Sequence, residues 1–92
     1  IIVATCTPDF PVPSTATIVQ QKLGLRECSA MDIRSACCGS MQALITATQY
    51  LLNGMYKTAV VIGCDVGSIF GNLDKDDPTF SRQDLVCIEF FD

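Results

Sequence analysis

Histidine and tryptophan are both absent from this sequence of 92 residues, and only 17% of its residues are charged. Without histidine the chain lacks the usual proton shuttle for an activated nucleophile near neutral pH. That absence, with no C-x-x-C pair, also argues against a zinc site. Positive charge is scarce too: six Lys and Arg stand against ten Asp and Glu, for a net charge of −4. The basic residues are scattered singly and form no stripe, so no nucleic-acid partner is expected. No apolar run approaches the roughly 20 residues that cross a bilayer, and no signal peptide is visible. The expectation is a soluble, cytoplasmic protein with no membrane partner.

Apolar surface is what the chain has in quantity. Hydrophobic residues make up 49% of it, which excludes a disordered segment. A chain this short forms one domain at most and buries only about two-thirds of its unfolded surface. Its composition suits a buried sheet layer inside something larger, or an obligate interface. Both ends agree, since the sequence opens within "IIVATC" and stops at "VCIEFFD". We therefore expect a piece of a longer protein.

Six cysteines stand at positions 6, 28, 37, 38, 64 and 87. An even number invites a disulfide framework. Yet Cys6, Cys64 and Cys87 fall in or beside apolar strand-like runs, where a free thiol behaves as a small hydrophobe. Cys37 and Cys38 are sequence neighbours, a poor geometry for an ordinary bridge. Reduced, mostly buried thiols are expected.

Along the chain, short apolar runs alternate with helical periodicity. "IIVATC" (1–6) reads as a strand apolar on both faces. Residues 7–14 hold three prolines and must be a loop. Ser14 is placed to cap a helix through "TATIVQQKL", with Ala16, Val19 and Leu23 on one face and Gly24 as its stop. A short strand at 29–35 precedes a helix from about Cys38 to Asn53, ended by Gly54. Its apolar stripe reads Met41, Leu44, Ile45, Thr48, Leu51, Leu52 and Met55. Residues 58–64 read as a fully buried strand, 65–84 as a long polar loop, and 85–91 as a closing strand. This β-α-β-α-β-loop-β order predicts an α/β layered unit with parallel strands and right-handed crossovers.

Parallel sheets bind ligands at the carboxyl ends of their strands, where "DIRSACCGSM" places Cys37. The free N–H groups of a helix start favour thiolate over thiol and can stabilise an oxyanion. A thiol there could attack an acyl thioester. The residues alone favour two small apolar fillers at a crowded corner over a nucleophile.

The stretch "DIRSACCGSMQALITATQYLLNGMYKTAVVIGCDV" resembles the active-site segment of the β-ketoacyl-[acyl-carrier-protein] synthase III family, condensing enzymes of the thiolase superfamily. "IIVATCTPDFPVPSTATIVQQKLGL" and "DDPTFSRQDLVCIEFFD" resemble the flanking segments. The resemblance implies a thiolase-like α/β fold, with residues 1–92 forming most of the first βαβαβ half of a five-layered αβαβα homodimer subunit. It implies that Cys37 is the acyl-accepting nucleophile and Cys38 its small neighbour. It further implies acyl-CoA and malonyl-carrier protein as substrates, acyl-carrier protein as partner, and no cofactor or metal. The catalytic His and Asn belong to the second half of such enzymes, so these 92 residues are expected to be inactive alone. Val12 stands where the family has a Phe that reaches a neighbouring subunit's acyl pocket. Arg82 stands near a family Arg that contacts CoA. Ser40 replaces a common Phe, Arg34 a small residue, and Glu89 and Phe91 depart from Leu and Gly. Relatives that condense two acyl-CoAs or transfer acyl groups to other acceptors, and a non-catalytic supporting subunit, are the alternatives.

Overall fold

The computed structural model describes residues 1–67 together with Asp76 and Pro78. Within them lie three short strands and two helices: β1 (Ile2–Ala4), α1 (Thr15–Leu23), β2 (Met31–Ile33), α2 (Gly39–Leu52) and β3 (Val61–Gly63). A single 3-10 turn, Ala36–Cys38, leads into α2. The strands form one parallel sheet in the order β2-β1-β3, with β1 in the centre. Ile2, Val3 and Ala4 face Met31, Asp32 and Ile33 on one side and Val61, Ile62 and Gly63 on the other. The ladder extends past β1, where Thr5 N–H donates to the Ile33 carbonyl and Cys64 N–H to the Ala4 carbonyl.

A central strand covered on both faces needs apolar residues at every position. β1 meets that demand, and Val3 is its most deeply buried side chain, at 1% exposure. Ile2 and Ala4 pack with Ala43 and Ala47 of α2, flanked by Met31, Ile33, Tyr50 and Val61. Helix α1 packs on β2 and β1 and buries Ala16 fully.

Helix α1 begins and ends where expected. The Ser14 hydroxyl accepts from Thr17 N–H, and Gly24 closes the helix at φ +70° with its N–H on the Gln20 and Gln21 carbonyls. A left-handed residue there satisfies carbonyls that the helix itself leaves free. Of its expected face, Ala16 is buried and Val19 half-buried, while Leu23 is exposed. Helix α2 runs to Leu52 with Asn53 as its cap, and Gly54 follows with φ +72°.

Three expectations change. The face of α2 that meets the sheet is the small-residue row Gly39, Ala43 and Ala47, not the stripe of Met41, Leu44, Ile45, Thr48, Leu51, Leu52 and Met55. All of that stripe is exposed here. β3 is half-buried to exposed rather than fully buried, because as the described edge of the sheet it has a neighbour only on the β1 side. Among the described cysteines, all of them free, none is buried: Cys6 and Cys28 are half-buried and Cys37, Cys38 and Cys64 exposed. The expected strand at 85–91, with Cys87, Glu89 and Phe91, lies outside the described residues, as does most of the polar loop before it. No helix among the described residues is long and apolar enough to cross a membrane.

Candidate active site

The carboxyl ends of β1 and β3 and the start of α2 meet closely, because glycine occupies both points of contact. A Cβ built on Gly39 would lie 3.2 Å from the Cβ of Ala4, and one built on Gly63 would lie 3.0 Å from the Cβ of Ser40. Real side chains rarely tolerate such separations, so glycine lets helix and strands touch. The first turn of α2 is thereby seated directly over the strand ends.

The corner leading into it is strained. Ala36 has φ +43°, a left-handed conformation that costs an L-residue about 1–2 kcal/mol. Strain of this kind persists where the surrounding structure holds it, and it concentrates at functional sites. Next in the chain is Cys37, whose side chain is exposed. The turn is held by Cys38 N–H on the Ser35 carbonyl and Gly39 N–H on the Ala36 carbonyl.

Cys37 opens on a cavity of about 240 Å³, whose walls include Ala4, Ala36, Ser40, Gly63 and Asp65. A polar network fixes its β3 side. The Asp65 carboxylate accepts from Cys6 N–H at 2.6 Å and from the Thr5 hydroxyl at 3.2 Å. Thr7 N–H donates to the Thr5 hydroxyl oxygen, and Val66 N–H to the Thr7 hydroxyl oxygen. These bonds tie the segment leaving β1 to the segment leaving β3. Asp65 and its threonines were not singled out in the sequence, where the only signal was an acid directly after an apolar strand.

Asp32 was also missed as a working residue. Its two carboxylate oxygens accept from Thr15 N–H at 2.7 Å and Ala16 N–H at 2.8 Å. An anion at a helix N-terminus meets both unpaired donors and the positive end of the dipole. Asp32 thus anchors α1 to β2, three residues before the Ser35 that opens the strained turn.

The other described candidates, Val12 and Arg34, do not line the cavity beside Cys37. Val12 sits in the loop before α1, 82% exposed, and does not line the cavity; its peptide bond to Pro13 is cis. Arg34 is exposed. Arg82 lies outside the described residues. No group of three or more His, Cys, Asp or Glu among the described residues is arranged to hold a metal ion.

The family model for 3-oxoacyl-[acyl-carrier-protein] synthase III matches residues 31–83. The chain belongs to that family. The β-ketoacyl-[acyl-carrier-protein] synthase III of Neisseria meningitidis (serogroup B, strain MC58) is 56% identical over 69 residues, 74% of this chain and 22% of that protein. Among solved structures, the 3-oxoacyl-[acyl-carrier-protein] synthase III of Aquifex aeolicus superposes with a TM-score of 0.75 at 35% identity, covering 85% of this chain and 25% of that one. A tetronic acid condensing enzyme superposes at 0.70 with 40% identity, covering 75% and 22%. The chain therefore spans about a quarter or less of the length of these relatives. The parallel sheet with its two helices is part of the thiolase-like α/β fold of this synthase III family.

Proposed function

We propose that Cys37 is the acyl-accepting nucleophile of a condensing enzyme of the 3-oxoacyl-[acyl-carrier-protein] synthase III type, to which this chain contributes the nucleophile corner. The observation that carries this reading is an exposed thiol after a strained residue, at the carboxyl ends of a parallel sheet, opening on a cavity. The Cys37 thiolate attacks the carbonyl of an acyl-CoA, and collapse of the tetrahedral adduct expels CoA, which leaves as a thiol once protonated. Malonyl-carrier protein then loses carbon dioxide, and its carbanion attacks the Cys37 thioester. The product is a 3-oxoacyl-carrier protein, and the Cys37 thiolate is regenerated.

The chain has no histidine, so the groups that assist decarboxylation come from outside these 92 residues. We assign those to the rest of the protein, with homodimer formation, acyl-carrier protein as partner and a cytoplasmic location. Val12 from a neighbouring subunit and Arg82 at CoA remain part of the same proposal. Kinship with a tetronic acid condensing enzyme favours one second reading, in which the Cys37 thioester is delivered to an acceptor other than malonyl-carrier protein.

The test is acyl loading of the full-length protein. Incubation with acetyl-CoA followed by peptide mass mapping should place one acetyl group on Cys37. Cys37→Ser should abolish it and Cys38→Ala should keep it. Acetylation of Cys38 instead, or none at all, would refute the assignment. Adding malonyl-carrier protein separates the two readings, since only the first yields a 3-oxoacyl group on the carrier protein.

A further inference from the structure

We infer that Asp65 is a positioning residue for acyl transfer to Cys37, an inference that rests on the proposed role of that thiol. The last backbone hydrogen bond between β1 and β3 runs from Cys64 N–H to the Ala4 carbonyl. Beyond it, among the described residues, the two strand exits are joined through side chains. The Asp65 carboxylate, on the β3 side, accepts from Cys6 N–H at 2.6 Å and from the Thr5 hydroxyl at 3.2 Å. In the opposite direction, the Thr7 hydroxyl oxygen on the β1 side accepts from Val66 N–H at 2.9 Å. Thr5 is buried, at 8% exposure, and its hydroxyl oxygen also accepts from Thr7 N–H at 3.1 Å. Thr5, Thr7 and Asp65 thus form a clasp that is closed from both strands.

The clasp adjoins both points where the strands meet the start of α2. Thr5 directly follows Ala4, whose Cβ lies 3.2 Å from a Cβ placed on Gly39. Asp65 stands just past Gly63, where a Cβ would lie 3.0 Å from the Cβ of Ser40. Contacts this close leave no slack, so the spacing of the two strand ends fixes where the first turn of α2 rests. Gly63 and Asp65 also belong to the wall of the cavity of about 240 Å³ on which Cys37 opens. Without the carboxylate, Cys6 N–H and the Thr5 hydroxyl lose their acceptor, and the end of β3 is held to β1 by fewer bonds. The cavity wall then shifts relative to the thiol. An acyl carbonyl seated against that wall misses the line of attack, and a misplacement of about 1 Å can cost about a hundredfold in rate. Asp65 acts through the geometry of the wall, without touching the reacting atoms.

The experiment reads the rate of mass gain on Cys37 of the full-length protein at saturating acetyl-CoA. Beside it runs alkylation of the same thiol by iodoacetamide, which needs no seat in the cavity. Asp65→Asn loses the charge but keeps an oxygen that can accept both bonds, whereas Asp65→Ala loses charge and acceptor together. Asp65→Ala should therefore acetylate at least about tenfold more slowly than Asp65→Asn, while the two are alkylated at one rate. Thr7→Val against Thr7→Ser repeats the comparison on the opposite bond with no change of charge. The valine variant should be slower and the serine variant should restore the rate, which keeps the test decisive if Asp65→Ala does not fold. Equal acetylation in Asp65→Ala and Asp65→Asn overturns the clasp, since a shared loss would belong to the charge. A parallel fall of acetylation and alkylation in Asp65→Ala also overturns it, because the whole corner would then be lost rather than its wall displaced. A wild type that is alkylated at Cys37 yet never acetylated there overturns the parent reading, and does so before any variant is made.

Discussion

Asp32 shows how much one side chain can hold at this corner. It spans from β2 to the first turn of α1 through two short hydrogen bonds from backbone N–H groups. Bonds to a charged acceptor are among the stronger ones in a protein. Asp32→Ala in the full-length protein should lower unfolding stability by about 2 kcal/mol, read as a shift of the urea midpoint. Asp32→Asn, which keeps one acceptor oxygen, should cost about half as much. Equal midpoints for all three would mean that the carboxylate does not hold the helix. The sequence shows Asp32 only as an acid in a short strand, because its partners lie 16 and 17 residues back. Cys37 is different: its place between strand and helix is a local fact and readable directly. The strain at Ala36 is not readable, since nothing in alanine announces a positive φ.

At the scale of elements, helix limits were legible and helix faces were not. Ser14, Gly24 and Gly54 mark boundaries by local chemistry, and the observed helices stop close to them. The buried face of α2 was misread because periodicity favours the largest apolar residues. Against this parallel sheet, contact distance is the selecting factor. Gly39 nearly touches Ala4, and only small residues fit at 43 and 47 behind it. Ala43 is 0% exposed and packs with Ile2, Ala4 and Ala47. Ala43→Leu should therefore destabilise the full-length protein by about 1–3 kcal/mol through overpacking, read by thermal or urea unfolding. An unchanged midpoint would show that α2 lies further from the sheet than it does here.

For the molecule as a whole, the outward side of α2 is the larger fact. Met41, Leu44, Ile45 and Leu52 are all more than half exposed, and Leu51 is 40% exposed. So much exposed apolar surface on one helix marks a face that packs against further protein. The relatives extend well beyond the part that this chain matches, and we assign the cover of α2 to that additional chain. Residues 1–92 expressed alone should then bind a hydrophobic dye such as ANS, melt without a sharp transition and form no 3-oxoacyl product. A cooperative melt with no dye binding would show that the segment is self-sufficient. The α/β class was legible at this scale because parallel strands joined by helices leave a repeating local pattern. The partial burial of β3 was not, since an edge is defined by what lies beside it.

The central place of β1 also governs the order of events during synthesis. Of the three described strands it leaves the ribosome earliest, and its two neighbours come about 30 and 60 residues later in register. Pairings of such long sequence separation are slow to form. Until β3 emerges, one edge of β1 is open, and an open apolar edge invites pairing with another chain. The thiol at Cys37 is translated before Gly63 and Asp65, which close the far wall of its cavity. The Cys37 side chain therefore exists as a bare thiol for some time before the cavity beside it is built.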